Sequence, residues 1–114
     1  MIIHRISRAE LADLIEQDAV TVVEALPAQY YEDAHLPGAI NIPHTEVRPL
    51  APRLLPDKDA PIVVYCTDLP CPNSGLAARV LTKLGYTNVR DYAEGKQDWQ
   101  EAGLAVESGT PVAG

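Results

Sequence analysis

The sequence predicts a single α/β domain with a parallel sheet covered by helices on both faces. Apolar, β-branched runs alternate with helical patterns along the chain, which is the signature of βαβ units. "PIVVYC", residues 61 to 66, is a continuous apolar run rather than an alternating one, as in a central strand buried on both sides. At 114 residues and 46% hydrophobic composition, the chain is long enough to bury a core of its own.

"IIHRI" opens as a short strand, and Ser7 with Glu10 forms a capping-box pattern ahead of a helix that places Leu11, Leu14 and Ile15 on one face. That helix is expected to end near Gln17 and Asp18, before the strand "AVTVVEA". Pro27 suits a first helical turn for "PAQYYEDA", and "HLPGA" then imposes a turn before the short strand "INIP". "HTEVRPLAPRLLPDKDA" is rich in proline, so its helix should be brief, with Leu50, Leu54 and Leu55 as buried contacts. After "PIVVYC", the segment "SGLAARVLTKLGY" should bury Leu76, Ala77, Val80, Leu81 and Leu84 and stop at Gly85. "TNVRDY" reads as a fifth strand, followed by a short helix from about Gly95 to Ala102 with Trp99 in the core. The stretch "ESGTPVAG" reads as a tail.

A net charge of −7 and a pI near 4.7 argue against binding to nucleic acid or to an anionic membrane surface. The charged N-terminal segment lacks the apolar core of a signal peptide, and no apolar run reaches the ~18 residues of a membrane span. The mature chain is therefore expected to start near residue 1 and to reside in the cytoplasm. There thiols are kept reduced and structural disulfides are uncommon.

Both cysteines of the chain, Cys66 and Cys71, lie in "YCTDLPCPNSG", between the apolar strand and the following helix. A nucleophile with a partner thiol, half of a metal site, or a disulfide would each place two cysteines there. A zinc site needs four ligands, and the scattered His4, His35 and His44 lack the pair spacing of zinc modules. In open α/β sheets ligands bind beyond the carboxyl ends of the strands, which is where Cys66 falls. A loop curling into a helix N-terminus turns backbone N–H groups and the positive end of the helix dipole toward an anion. Such a cradle lowers a thiol pKa below about 8.5 and favours the nucleophilic thiolate. Asp68 opposes this if it points inward, so it is expected to face solvent. Asn73 or Ser74 should cap the helix.

"VVEALPAQYYEDAHLPGAINIP", then "PIVVYC" with its loop and "SGLAARVLTKLGYTNV", then "EGKQDWQEAGLAV" resemble in order and spacing the single-domain rhodanese-like sulfurtransferases. The resemblance spans roughly residues 8 to 107 and is most specific at "HLPGAINIP", "VVYC" and "DW..AGL". It implies a three-layer α/β/α rhodanese-like fold over residues 1–107, with a five-stranded parallel sheet in the order 1-5-4-2-3 and a flexible tail at 108–114. It also implies that Cys66 accepts sulfane sulfur as a persulfide, cradled by the loop Thr67, Asp68, Leu69, Pro70, Cys71, Pro72, Asn73 and Ser74. The sulfur passes to a thiol or another nucleophile without metal or organic cofactor. The implied partners are a small sulfur donor or protein persulfide, a thiol acceptor and a protein partner.

The chain departs from that family's pattern in the loop, which is two residues longer than usual and holds no Arg or Lys between Cys66 and Arg79. This disfavours thiosulfate as donor and favours a less charged persulfide. It also disfavours the phosphatase and arsenate-reductase relatives of the fold, whose loop arginine grips an oxyanion in bidentate fashion. Glu24 and Leu26 stand where many members carry Asp and Arg, and Glu94 where a glycine is frequent. Cys71 has two readings: a resolving thiol, since five residues of curled loop can bring its Cα within the roughly 4.4–6.8 Å a disulfide requires, or a packed or solvent-exposed thiol that points away ahead of Pro72. Lys96, His44, Arg48 and Arg79 are candidates for a cationic rim, and His35 reads as a structural turn residue. Two other functions compete with sulfur transfer: a binding or sulfur-delivery module of low turnover, and a Cys66/Cys71 thiol–disulfide redox protein.

Overall fold

The computed structural model describes residues 3–109. Five strands, β1 (His4–Arg5), β2 (Thr21–Glu24), β3 (Ile40–Asn41), β4 (Ile62–Tyr65) and β5 (Val89–Tyr92), form one sheet in the order β1-β5-β4-β2-β3. Every pairing is parallel. The expected sheet and strand order are thus observed, with β1 confined to two residues of the apolar run that suggested it.

The helices are α1 (Arg8–Glu16), α2 (Ala28–Asp33), α3 (Val47–Leu54), α4 (Asn73–Lys83) and α5 (Gly95–Glu101), with a 3-10 turn at His44–Glu46 before α3. Ser7 caps α1, its Oγ accepting the Glu10 N–H at 3.2 Å while the hydroxyl donates to Glu10 Oε1 at 3.1 Å. Pro27 is the N-cap of α2 rather than its first residue. Pro52 sits inside α3, near enough to its end to shorten the helix rather than prevent it.

Alternation along β2 and β4 divides two cores. Val23 and Val64 face α3 and α4 with Ala51, Leu55, Ala77, Ala78 and Leu81. Val22, Val63 and Tyr65 face the other layer with Leu11 of α1, Tyr31 of α2 and Trp99 of α5. Leu50, Leu54, Val80 and Leu84 pack partly buried at the first core's edge. Leu76 departs from expectation: it is 42% exposed, because the sheet and α3 cover only the stripe through Ala77, Ala78 and Leu81. Tyr86 closes that core by donating its buried hydroxyl to the carbonyls of Leu55 at 2.6 Å and Ala51 at 3.0 Å.

Trp99 is buried as expected and donates its indole N–H to Ala105 O at 2.9 Å. Glu107 pairs with His35 in an isolated bridge, and the Gly109 N–H reaches Glu32 O at 2.9 Å, so the start of the expected tail lies against the body. Residues 110–114 lie outside the described part.

Candidate active site

Cys66 is the first residue beyond β4 and is 1% exposed. The strand delivers it to the carboxyl edge of the sheet, and α5 holds it there from the adjoining side. The N–H of Lys96 donates to Cys66 O at 2.9 Å and that of Gln97 to Thr67 O at 2.8 Å. Gly95 makes this docking possible. It has φ +74, and a Cβ on it would lie 2.8 Å from Cys66 O and from the Asp68 nitrogen. Replacing Gly95 with Ala is therefore expected to destabilise the fold by about 1–3 kcal/mol from backbone strain. It should also speed iodoacetamide labelling of reduced Cys66 by loosening the loop. An unchanged denaturation midpoint and labelling rate would contradict this role.

Beyond Thr67 the chain turns back on itself, with the Cys71 N–H donating to Asp68 O at 3.2 Å. The turn leaves the Cα atoms of Cys66 and Cys71 6.3 Å apart, and their sulfurs form a disulfide. Of the three arrangements open to the pair, the structure holds the disulfide, the less expected of them in a reducing compartment: a turn that closes within five residues brings the cysteines inside bonding span. Thr67 Oγ1 lies 3.7 Å from Cys66 Sγ. Leu69 stands at the tip, 59% exposed, with Pro70 also exposed.

Pro72 is the N-cap of α4 and provides no side-chain cap, so neither Asn73 nor Ser74 plays that part. Asn73 begins the helix, and Ser74 is buried beneath the loop toward β5. There burial raises the Asp91 carboxyl pKa, while the Ser74 hydroxyl opposes the rise. The first intrahelical bond of α4 runs from the Leu76 N–H to Pro72 O at 3.0 Å. The N–H groups of Asn73, Ser74 and Gly75 precede it, giving the loop the positive helix end expected of an anion cradle.

Lys96 is not a rim cation. Its Nζ is buried, 3.0 Å from Glu24 Oε1 and 3.0 Å from Tyr30 O. The same Glu24 oxygen accepts the Tyr65 hydroxyl at 2.6 Å, and that hydroxyl accepts the Leu36 N–H at 3.0 Å. Glu24 Oε2 is buried without a partner. Burial raises the Glu24 carboxyl pKa, against the lowering effect of Tyr65 and Lys96. The Tyr65 hydroxyl is pushed far up by its own burial and by the Glu24 charge. This group, tied to Cys66 through the Lys96 backbone, was missed in the sequence as a unit. The in-register pairing of Glu24 with Tyr65 joins it across β2 and β4.

A groove of about 310 Å³ runs beside the loop, lined by Asp68, Leu69, Glu94, Asp98 and Glu101 among others. Asp68 is half-buried at its edge rather than turned fully to solvent. Asp98 is neutralised in part by Arg8 at 2.8 Å and accepts the Tyr92 hydroxyl at 2.6 Å; that hydrogen bond, with Arg8, lowers its pKa. The groove is acidic. Arg48 is exposed on α3, Arg79 is exposed on α4, and His44 is half-buried before α3. His35 packs away its ring, stacked on Tyr31 at 3.7 Å with Nδ1 2.7 Å from Tyr31 O, in keeping with a structural role.

Residues 7–102 match the model of the Rhodanese-like domain family. Among curated proteins, the chain is 38% identical over 107 residues to the HTH-type transcriptional regulator Rv0324 of Mycobacterium tuberculosis, covering 94% of this chain and 46% of that protein. It is 40% identical over 66 residues to the thiosulfate sulfurtransferase PspE of Escherichia coli, covering 58% of this chain and 61% of that one. The chain thus spans roughly half to three-fifths of these relatives' lengths. Among solved structures, the BH2092 protein of Bacillus halodurans superposes with a TM-score of 0.85 at 27% identity, over 92% of this chain and 77% of that one. A rhodanese-related protein of Thermoplasma volcanium gives 0.78 at 29% identity, over 91% and 97%.

Proposed function

The chain belongs to the rhodanese-like domain family, and on that premise we propose that it is a sulfurtransferase carrying sulfane sulfur as a persulfide on Cys66. The observation that carries this reading is the seat of Cys66: buried at the end of β4, fixed through its carbonyl by α5, and followed by the open N-terminus of α4. A persulfide anion there is stabilised by the same N–H groups and dipole that favour a thiolate. The outer sulfur would pass to a thiol or another nucleophile, leaving the Cys66 thiolate. The relatives named a thiosulfate sulfurtransferase and a putative sulfur carrier protein support sulfur transfer as the chemistry. The proposed setting is the cytoplasm, in keeping with a chain in which, among the described residues, no helix is long and apolar enough to cross a membrane.

The acidic groove favours a persulfide donor over the dianion thiosulfate, since Asp68, Glu94 and Glu101 repel added negative charge. The disulfide supports a second reading, in which Cys71 resolves the persulfide: its thiolate attacks Cys66 Sγ, the Cys66–Cys71 bond forms, and hydrosulfide leaves. Intact-protein mass spectrometry tests both. Reduced protein is incubated separately with thiosulfate and with cysteine persulfide, which carries less negative charge. We expect a reducible gain of one sulfur atom on the Cys66 peptide, larger with the persulfide. Loss of two hydrogens with hydrosulfide released would favour resolution by Cys71, and the same loss without hydrosulfide a purely redox role. No change with either donor would favour a binding module.

A further inference from the structure

The two halves of the loop disulfide are unequal, and the inequality assigns a direction to its opening. Cys66 is 1% exposed and is enclosed by β4 behind it and α5 at its side, whereas Cys71 is partly exposed on the outer turn that follows Leu69 and Pro70. Thiol–disulfide exchange proceeds by attack of a thiolate on one sulfur with departure of the other, and access decides which sulfur is struck. We propose that Cys71 is the entry site for an incoming thiol, which forms a mixed disulfide on Cys71 and releases Cys66 as a thiolate. In this step the incoming S–Sγ71 bond forms as the Sγ71–Sγ66 bond breaks. The bonding pair leaves on Cys66, so the thiol sulfur is oxidised and the Cys66 sulfur reduced.

The departing sulfur is well received. Thr67 Oγ1, 3.7 Å away, can turn its hydroxyl toward it, and the free N–H end of α4 stabilises its charge. A leaving thiolate so stabilised departs faster. Attack on the buried sulfur would require displacing the loop from α5, to which it is held by the Lys96 and Gln97 N–H groups. The same arrangement therefore separates two roles: Cys71 meets the reductant, and Cys66 is left uncapped to meet the sulfur donor. A second thiol then attacks the mixed disulfide at the reductant's own sulfur and returns Cys71 to the thiol.

This goes beyond the sulfurtransferase reading, because it concerns the oxidised loop and holds whether or not a persulfide forms. The test uses 2-mercaptoethanol as the thiol. Oxidised wild type is mixed with a limiting amount, quenched in acid within the first turnover, alkylated with iodoacetamide and mapped by peptide mass. The mercaptoethanol adduct should fall on Cys71 and the alkyl group on Cys66, in at least tenfold excess over the reverse arrangement. Predominance of the reverse, or an even split, would overturn the assignment. If intramolecular closure keeps the adduct from accumulating, single-cysteine variants decide the matter. Cys66→Ser and Cys71→Ser are each loaded as the mercaptoethanol mixed disulfide, and exchange of the bound group for deuterated 2-mercaptoethanol, which requires attack on the protein sulfur, is timed by mass. The adduct on Cys71 should exchange at least tenfold faster than that on Cys66. Equal rates, or a faster Cys66 adduct, would refute the direction.

Discussion

Replacing Cys66 with Ser should abolish the gain of a sulfur atom from any donor, leaving less than about a thousandth of the wild-type transfer rate, in line with the loss of a nucleophile. Serine nearly keeps the volume of the side chain and keeps the backbone bond to Lys96, so the fold should survive with a denaturation midpoint similar to that of the reduced wild type. What is lost is the thiolate. A hydroxyl beside the end of α4 stays protonated at neutral pH and does not attack a sulfane sulfur. The variant also retains Cys71, which makes the comparison sharper. If Cys71 alone were competent, the variant would still gain a reducible sulfur, now mapped to Cys71, and the assignment of the nucleophile to Cys66 would fail. An unloaded but folded variant separates the chemical role of Cys66 from its contribution to packing.

The position of Cys66 was legible because two strong signals coincide on it. A continuous apolar run marks a central parallel strand, and a helix pattern resumes seven residues after Cys66, so topology alone sends Cys66 to the ligand-binding edge. The layered sheet was legible for the same reason, since Val23 and Val64 face one core and their strand neighbours Val22 and Val63 the other. Lys96 was not. In "EGKQ" it is one charge among polar neighbours, and nothing local reveals that its partner Glu24 lies 72 positions away on β2. The loop was half legible: its spacing allowed a disulfide, but only the turn from Asp68 to Cys71 decides that the two sulfurs meet. Leu76 failed by one helical position, because a stripe read from apolarity carries no record of how far the neighbouring elements extend.

Replacing Lys96 with Met should cost about 3–5 kcal/mol, a large share of the stability of a small domain. Glu24 is fully buried and the Lys96 side chain is 9% exposed, so removing the ammonium strands a carboxylate that water cannot reach. The double variant Glu24→Gln, Lys96→Met should recover most of that loss. The amide keeps an acceptor for the Tyr65 hydroxyl without a charge to desolvate. The pH dependence distinguishes stranded charge from lost packing. Burial holds the folded pKa of Glu24 above its ordinary value of 4.5, so the native state binds this proton more tightly than the unfolded chain does. Its contribution to stability is fully present below 4.5 and is lost as pH rises through the raised folded value. Without Lys96 to oppose the rise, the folded value climbs further and the loss extends to higher pH. The deficit of Lys96→Met should therefore be largest at neutral pH and shrink as pH falls toward 4.5, where the carboxyl is protonated in the folded variant. Denaturant midpoints across that range measure it. A deficit that does not change with pH would mean that Lys96 acts through its aliphatic stem, packed between α5 and the Tyr30 carbonyl, and that the charge pair contributes little to holding α5 against Cys66.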